Sequence, residues 1–238
     1  MPLSRRAIVV SSATGLVVAG LAGFAWLRST NKAVAPVTDA PAAPAPAAAV
    51  ASTPAAATNP AETPRSIGSA SAPITVTEFF SLTCTHCAAF MRDTFPTIKS
   101  MLIDTGKVHW VFVDYPLDKI ALTAAMVARS LPADLYEPFV EALYQNQLHW
   151  AFNSDLDPIE GLAQEAALAG IPRSEFDMIT ANTDLQNWVL QERTEATNNY
   201  NIDATPTFRA AGPKAPQGQQ QSGEMSYDEF TAFLATAG

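Results

Sequence analysis

Residues Ile74-Thr-Val-Thr-Glu-Phe-Phe80 combine β-branched and aromatic side chains in near alternation, which predicts a strand. A helix is expected from residue 84 to about 105, kinked or interrupted at Pro96, whose ring and missing N–H break the ladder. Val108-His-Trp-Val-Phe-Val113 reads as a second, buried strand, stopped by Asp114-Tyr-Pro116. Strand, helix and strand in that order predict a βαβ unit and therefore a parallel pair. About eighty residues of helical periodicity follow, with candidate helices at 121–131, 135–148, 157–169, 173–181 and 184–199. Phe208 falls on a short strand after Pro206, and the Gly-, Pro- and Gln-rich stretch 212–223 reads as a hairpin turn with poorly defined flanks. Ser226-Tyr-Asp-Glu229 fits a capping box that opens a last helix through Phe230, Phe233 and Leu234. The order β-α-β, helical block, β-β-α is a split α/β layout. Trp110, Trp150 and Trp188, with Phe139, Phe152 and Phe176, are expected as core and helix-packing residues.

Upstream of this the pattern changes twice. Arg5 and Arg6 precede an uncharged stretch, 7–27, whose 21 residues at about 1.5 Å each just span a bilayer core of roughly 30 Å. A basic start and an apolar run is the plan of a membrane anchor and equally of a secretory signal. Gly23 and Ala25 before Trp26 form a poor cleavage site, and Pro36 spoils the one at Ala33 and Ala35; Ser4-Arg5-Arg6 hints at twin-arginine export. Basic residues ahead of the segment predict a cytoplasmic N-terminus and an exported remainder. Residues 33–64 are nearly all Ala, Pro and Thr, with seven prolines, the composition of a disordered, semi-extended linker. The expected organisation is a signal or anchor at 1–32, a linker at 33–65, and a folded domain at 66–238 carrying a helical insertion at about 118–200.

The chain has 238 residues and a net charge of −9. Residues 1–64 hold four basic against two acidic residues, so the net negative charge belongs wholly to residues 65–238. An acidic surface argues against nucleic-acid binding and for simple solubility. No phosphate loop, dinucleotide fingerprint or nucleophile elbow is present. Only two cysteines occur, three residues apart, which excludes a multi-disulfide scaffold and zinc ligation by four cysteines.

Those two, in Cys84-Thr-His86-Cys87, stand directly after a strand and at a helix start. One turn brings the two sulfurs within reach of each other. At the first position unpaired amides and the helix dipole stabilise an anion, so Cys84 is expected as a thiolate nucleophile. Cys87, one turn inward, is shielded and can attack a mixed disulfide from within. His86 lies where an imidazole can further stabilise the thiolate. The bland readings are a zinc half-site, for which only His86, His109 and His149 remain, and a structural disulfide, which would close too short a loop to stabilise much. Glu78 shares the apolar face of its strand with Val76 and Phe80, six residues before Cys84. Burial there would raise its pKa and make it a proton relay for Cys87; on an edge strand it would simply face water.

Glu78-Phe-Phe-Ser-Leu-Thr-Cys84-Thr-His86-Cys87, with Phe112-Val-Asp-Tyr-Pro-Leu117 and Ala204-Thr-Pro-Thr-Phe208 downstream, resembles the DsbA family of thiol:disulfide oxidoreductases. The likeness covers about residues 70–238. It implies a thioredoxin fold with an inserted helical domain, Cys84 as attacking thiol, Cys87 as resolving thiol and His86 as tuning residue. It also implies a cis peptide before Pro206, with the Thr205 backbone pairing a substrate strand. Thr85 replaces the proline common in strong oxidants, which leaves the redox poise open. The function so implied is a periplasmic dithiol oxidase acting on cysteine-containing exported proteins, monomeric and without cofactor or metal. A membrane quinone-linked thiol oxidase would reoxidise it. A tethered reductase or isomerase shares the same plan, and a copper-delivery protein is the reading from a different class.

Overall fold

The structure, a computed structural model, describes residues 59–238. It opens with a single 3-10 turn, Pro60–Glu62, and strand β1, Arg65–Ile67. Strands β2 (Ile74–Phe80) and β3 (Val108–Asp114) follow, then β4 (Thr207–Gly212) and β5 (Ala215–Ser222). They make one sheet in the order β1-β3-β2-β4-β5. β2 and β3 are parallel, as the strand–helix–strand order requires; every other pairing is antiparallel. β2 is therefore central, and Glu78 stands between Phe112 of β3 and Phe208 of β4.

Between β2 and β3 run α1 (Thr85–Asp93), α2 (Phe95–Ile98) and a wider turn, Lys99–Ile103. The break falls at Thr94, just ahead of Pro96: proline has no N–H to continue the ladder but fits the first turn of a new helix. α1 packs on the sheet face carrying Val76, Glu78, Trp110 and Phe208, where aromatic rings meet edge and tilt. Phe90 lies 4.5 Å from Phe208 and Phe95 lies 5.1 Å from Trp110 between ring centroids. α9 (Tyr227–Leu234) covers the same face through Phe230, and its capping box of Ser226 and Glu229 is formed.

The insertion between β3 and β4 consists of α3 (Lys119–Ser130), α4 (Ala133–Gln145), α5 (Gln147–Trp150), α6 (Pro158–Leu168), α7 (Arg173–Thr180) and α8 (Thr183–Tyr200). The helix expected at 135–148 is two, parted at Asn146. Trp110, Trp150, Phe139 and Phe176 are buried, Trp188 is half-buried, but Phe152 is exposed.

Two expectations are corrected. The linker expected to run to residue 65 ends earlier, because Arg65 is buried and its guanidinium donates to the carbonyls of Arg129 and Leu131. Arg129 in turn reaches back to the carbonyls of Ala61 and Thr63. Proline-rich composition hid a segment that folds by side-chain capture from 64 to 68 residues away. Second, the stretch 212–223 is mostly strand, and only Pro213 and Lys214 form the turn. Beyond buried Ala215, β5 is largely exposed on both faces, so it carries no apolar alternation to read; its backbone bonds to β4 hold it. The expected signal or anchor at 1–32, and the linker to residue 58, lie outside the described residues.

Candidate active site

β2 delivers the chain to a turn, residues 81–84, and Cys84 becomes the N-cap of α1. Its sulfur accepts from the Cys87 amide at 3.5 Å, and as a thiol it donates to the carbonyl of Thr205 at 3.3 Å. Cys84 and Cys87 are both free thiols and both buried, Cys87 completely. Across the site, the Thr205–Pro206 peptide is cis and Pro206 is buried.

The two cysteines are electrostatically unlike. The Cys87 thiol, hydrogen-bonded to the Cys84 sulfur, is the main cause that holds Cys84 at about 5, against an ordinary 9.0. Burial opposes this, while the Thr205 hydroxyl and the amides of Cys87 and His86 support the anion. That hydroxyl is buried and otherwise unpartnered, so it is free to donate once the sulfur is ionised. Burial pushes Cys87 well above the usual thiol range, and the negative charge of Cys84 pushes it the same way. Of the two sulfurs, Cys84 is the thiolate and Cys87 keeps its proton.

Glu78 lies in the middle of the sheet, fully buried. The indole N–H of Trp110 donates to its Oε2 at 3.2 Å, and Oε1 has no partner. Burial raises its carboxyl to about 8, and the nearby Cys84 charge adds to the shift. Near neutrality it is a protonated acid, and its charge is coupled to both cysteines.

His86 departs from its expected position. Its side chain is 68% exposed, with Nδ1 3.3 Å from Oε2 of Glu224 in the segment before α9. The contribution of His86 to the Cys84 anion is its backbone amide. Sequence spacing places a residue along the helix but leaves its rotamer to whatever partner lies across the surface. Among the described residues no three His, Cys, Asp or Glu side chains converge as metal ligands.

The sequence reading missed Tyr144 and Gln147, which reach the active-site turn from the insertion. Tyr144 donates to the Ser81 carbonyl at 3.1 Å, and Gln147 to those of Leu82 and Cys84 at 2.9 and 3.1 Å. One signal was available: Gln147 is a polar residue on the apolar stripe Leu143, Tyr144, Trp150.

A protein-family model described as thioredoxin matches residues 60–235. Among curated proteins, a Rickettsia felis protein that carries a protein-disulfide oxidoreductase name is 26% identical over 172 residues, covering 72% of this chain and 59% of the relative. Disulfide bond formation protein D of Bacillus subtilis is 27% identical over 152 residues, covering 60% of this chain and 65% of that protein. The chain thus spans about three fifths of the length of these relatives. The crystal structure of Wolbachia pipientis α-DsbA1 superposes with a TM-score of 0.65 at 28% identity, covering 72% of this chain and 89% of that one.

Proposed function

We propose, from the premise that this chain belongs to the thioredoxin superfamily and within it to the DsbA family, that it is a dithiol oxidase acting on exported proteins. The asymmetry of the pair carries the reading: Cys84 is held as a thiolate at about 5 while Cys87 stays protonated. A stabilised thiolate is a good leaving group, and stabilising the reduced form makes the disulfide form a strong oxidant.

In the oxidised enzyme a substrate thiolate attacks the Cys84 sulfur. The Cys84–Cys87 bond breaks, and Cys87 leaves as a thiolate that takes up a proton, with buried Glu78 as its proposed source. A second substrate thiolate then attacks the mixed disulfide and expels Cys84 as its stabilised anion. Two electrons pass from substrate to enzyme, and the substrate gains one disulfide. The Thr205 carbonyl beside the sulfur is the backbone acceptor for a substrate strand. To turn over, the reduced pair needs an electron acceptor; by family resemblance this is a membrane quinone-linked thiol oxidase. The basic-then-apolar segment at 1–32 supports export to the periplasm, by anchor or by signal.

The test is the reduction potential of the Cys84–Cys87 pair in glutathione buffers. A value near about −120 mV is expected for a strong oxidant, and one near about −270 mV, as in thioredoxin, would make the protein an electron donor instead. Cys84→Ser should abolish exchange; substrate oxidation at the full rate in that variant would end the proposal.

A further inference from the structure

The turn that presents the nucleophile is held largely from outside the thioredoxin-like half. The Ser81 carbonyl accepts from the Cys84 amide at 3.0 Å and from the Tyr144 hydroxyl at 3.1 Å. The carbonyls of Leu82 and Cys84 share the two protons of the Gln147 amide nitrogen, and that of Cys84 also takes the Ala88 amide at 3.1 Å. The Thr83 hydroxyl donates to Oδ2 of Asp118 at 2.6 Å, while Oδ1 of the same carboxylate caps α3 by accepting from the Ala121 amide. Asp118, Tyr144 and Gln147 all belong to the helical insertion. Gln147 is 2% exposed and Tyr144 is fully buried, so water does not compete for these bonds.

We propose that the insertion acts as a template for the nucleophile, with Tyr144 and Gln147 as positioning residues that hold the 81–84 turn so that the Cys84 sulfur meets the amides opening α1. The inference rests on the exchange function above and names what tunes it. Its physical core is distance. The Cys87 amide lies 3.5 Å from the sulfur, so a small outward shift of Cys84 weakens the contact, and the dipole of a helix end acts only within its first turn. Gln147 also aims the positive end of its amide dipole at the Cys84 carbonyl. Losing either effect destabilises the thiolate, so the direction is the same for both: the Cys84 pKa rises and the disulfide becomes less oxidising. A glutamine that merely filled the core would cost stability and leave the redox equilibrium alone.

Gln147→Met keeps the volume and removes the donor, and Tyr144→Phe removes only the hydroxyl. Each is compared with the wild type in the full chain, by equilibration with glutathione and by thiolate absorbance at 240 nm against pH. The expected result for Gln147→Met is at least a tenfold shift of the glutathione equilibrium toward the disulfide, about 30 mV, with the thiolate midpoint moved up by about one pH unit. Tyr144→Phe should move both in the same direction. If Gln147→Met does not fold, Tyr144→Phe decides alone. Folded variants with wild-type equilibrium and midpoint would overturn the positioning role and leave the exchange function standing. A wild type that forms no Cys84–Cys87 disulfide with glutathione would remove the exchange function, and this proposal with it.

Discussion

The carbonyl oxygen of Thr205 accepts from the Cys84 thiol at 3.3 Å, although 121 residues separate them in the chain. The contact exists because β4 pairs antiparallel with β2, which brings the residues just before β4 to the end of β2 where the nucleophile begins. It places a backbone acceptor and a side-chain hydroxyl donor of one residue beside one sulfur. Thiol and thiolate each find a partner there.

Replacing Cys87 by serine removes the resolving thiol and leaves the attacking one. The variant should trap mixed disulfides with glutathione and with substrate thiols through Cys84, visible as the mass of one adduct per chain that dithiothreitol releases. Absence of any adduct would place the nucleophile elsewhere.

Alkylation of Cys84 by iodoacetamide should be half-maximal near pH 5 and flat above about pH 6, whereas an ordinary thiol would still be gaining rate at pH 8. A folded pKa below the unfolded one means that the stability it contributes is present above about 9 and lost as pH falls through about 5. The stability of reduced wild type relative to Cys84→Ser should therefore shrink steadily from pH 9 to pH 5 in urea titrations.

Glu78 works in the opposite sense. Its folded pKa is raised to about 8, so its contribution is complete below about 4.5 and lost as pH rises through about 8. Glu78→Gln, measured in the oxidised form where Cys84 no longer titrates, should gain steadily on the wild type as pH rises from 5 to 8, by about 3 kcal/mol. It should also slow the release of Cys87 during exchange. A pH-independent difference in stability would mean that the carboxyl is not held neutral by burial.

Arg129 and Asp114 form a buried pair at 2.5 Å, with Tyr136 donating to both carboxylate oxygens. Arg129→Met strands a buried carboxylate. The expected cost is about 3–5 kcal/mol, lowering the Tm by about 10 °C. A loss below about 1 kcal/mol would mean that water reaches Asp114.

The Arg65 and Arg129 contacts also tie residues 61–65 to the folded domain. A fragment beginning at Ser66 loses the Arg65 bonds to Arg129 and Leu131 and the carbonyls of Ala61 and Thr63 that Arg129 uses. It should be less stable than one beginning at Asn59 by about 3 kcal/mol, since each lost bond involves a charged group. Equal melting temperatures for the two fragments would show residues 59–65 to be dispensable.

Much of this protein was legible in the order of its residues. Cys84 and Cys87 at one-turn spacing after a β-branched strand, proline and glycine at the helix joints, and the Ser226–Glu229 cap are all relations within about four residues, which the backbone itself enforces. Glu78 could be placed on an apolar face because strands alternate. What the tertiary structure alone decided are relations across 60 residues and more. Gln147 and Tyr144 grip the active-site turn, the Thr205 carbonyl meets Cys84, and Arg129 captures the carbonyls of residues 61 and 63. The same holds for His86, whose helical position was clear but whose imidazole meets Glu224; β5 pairs nearby, but its glutamines look like a turn until β4 supplies the other half of the ladder. Local pattern fixes which side chains can act; strand pairing and packing determine which of them meet.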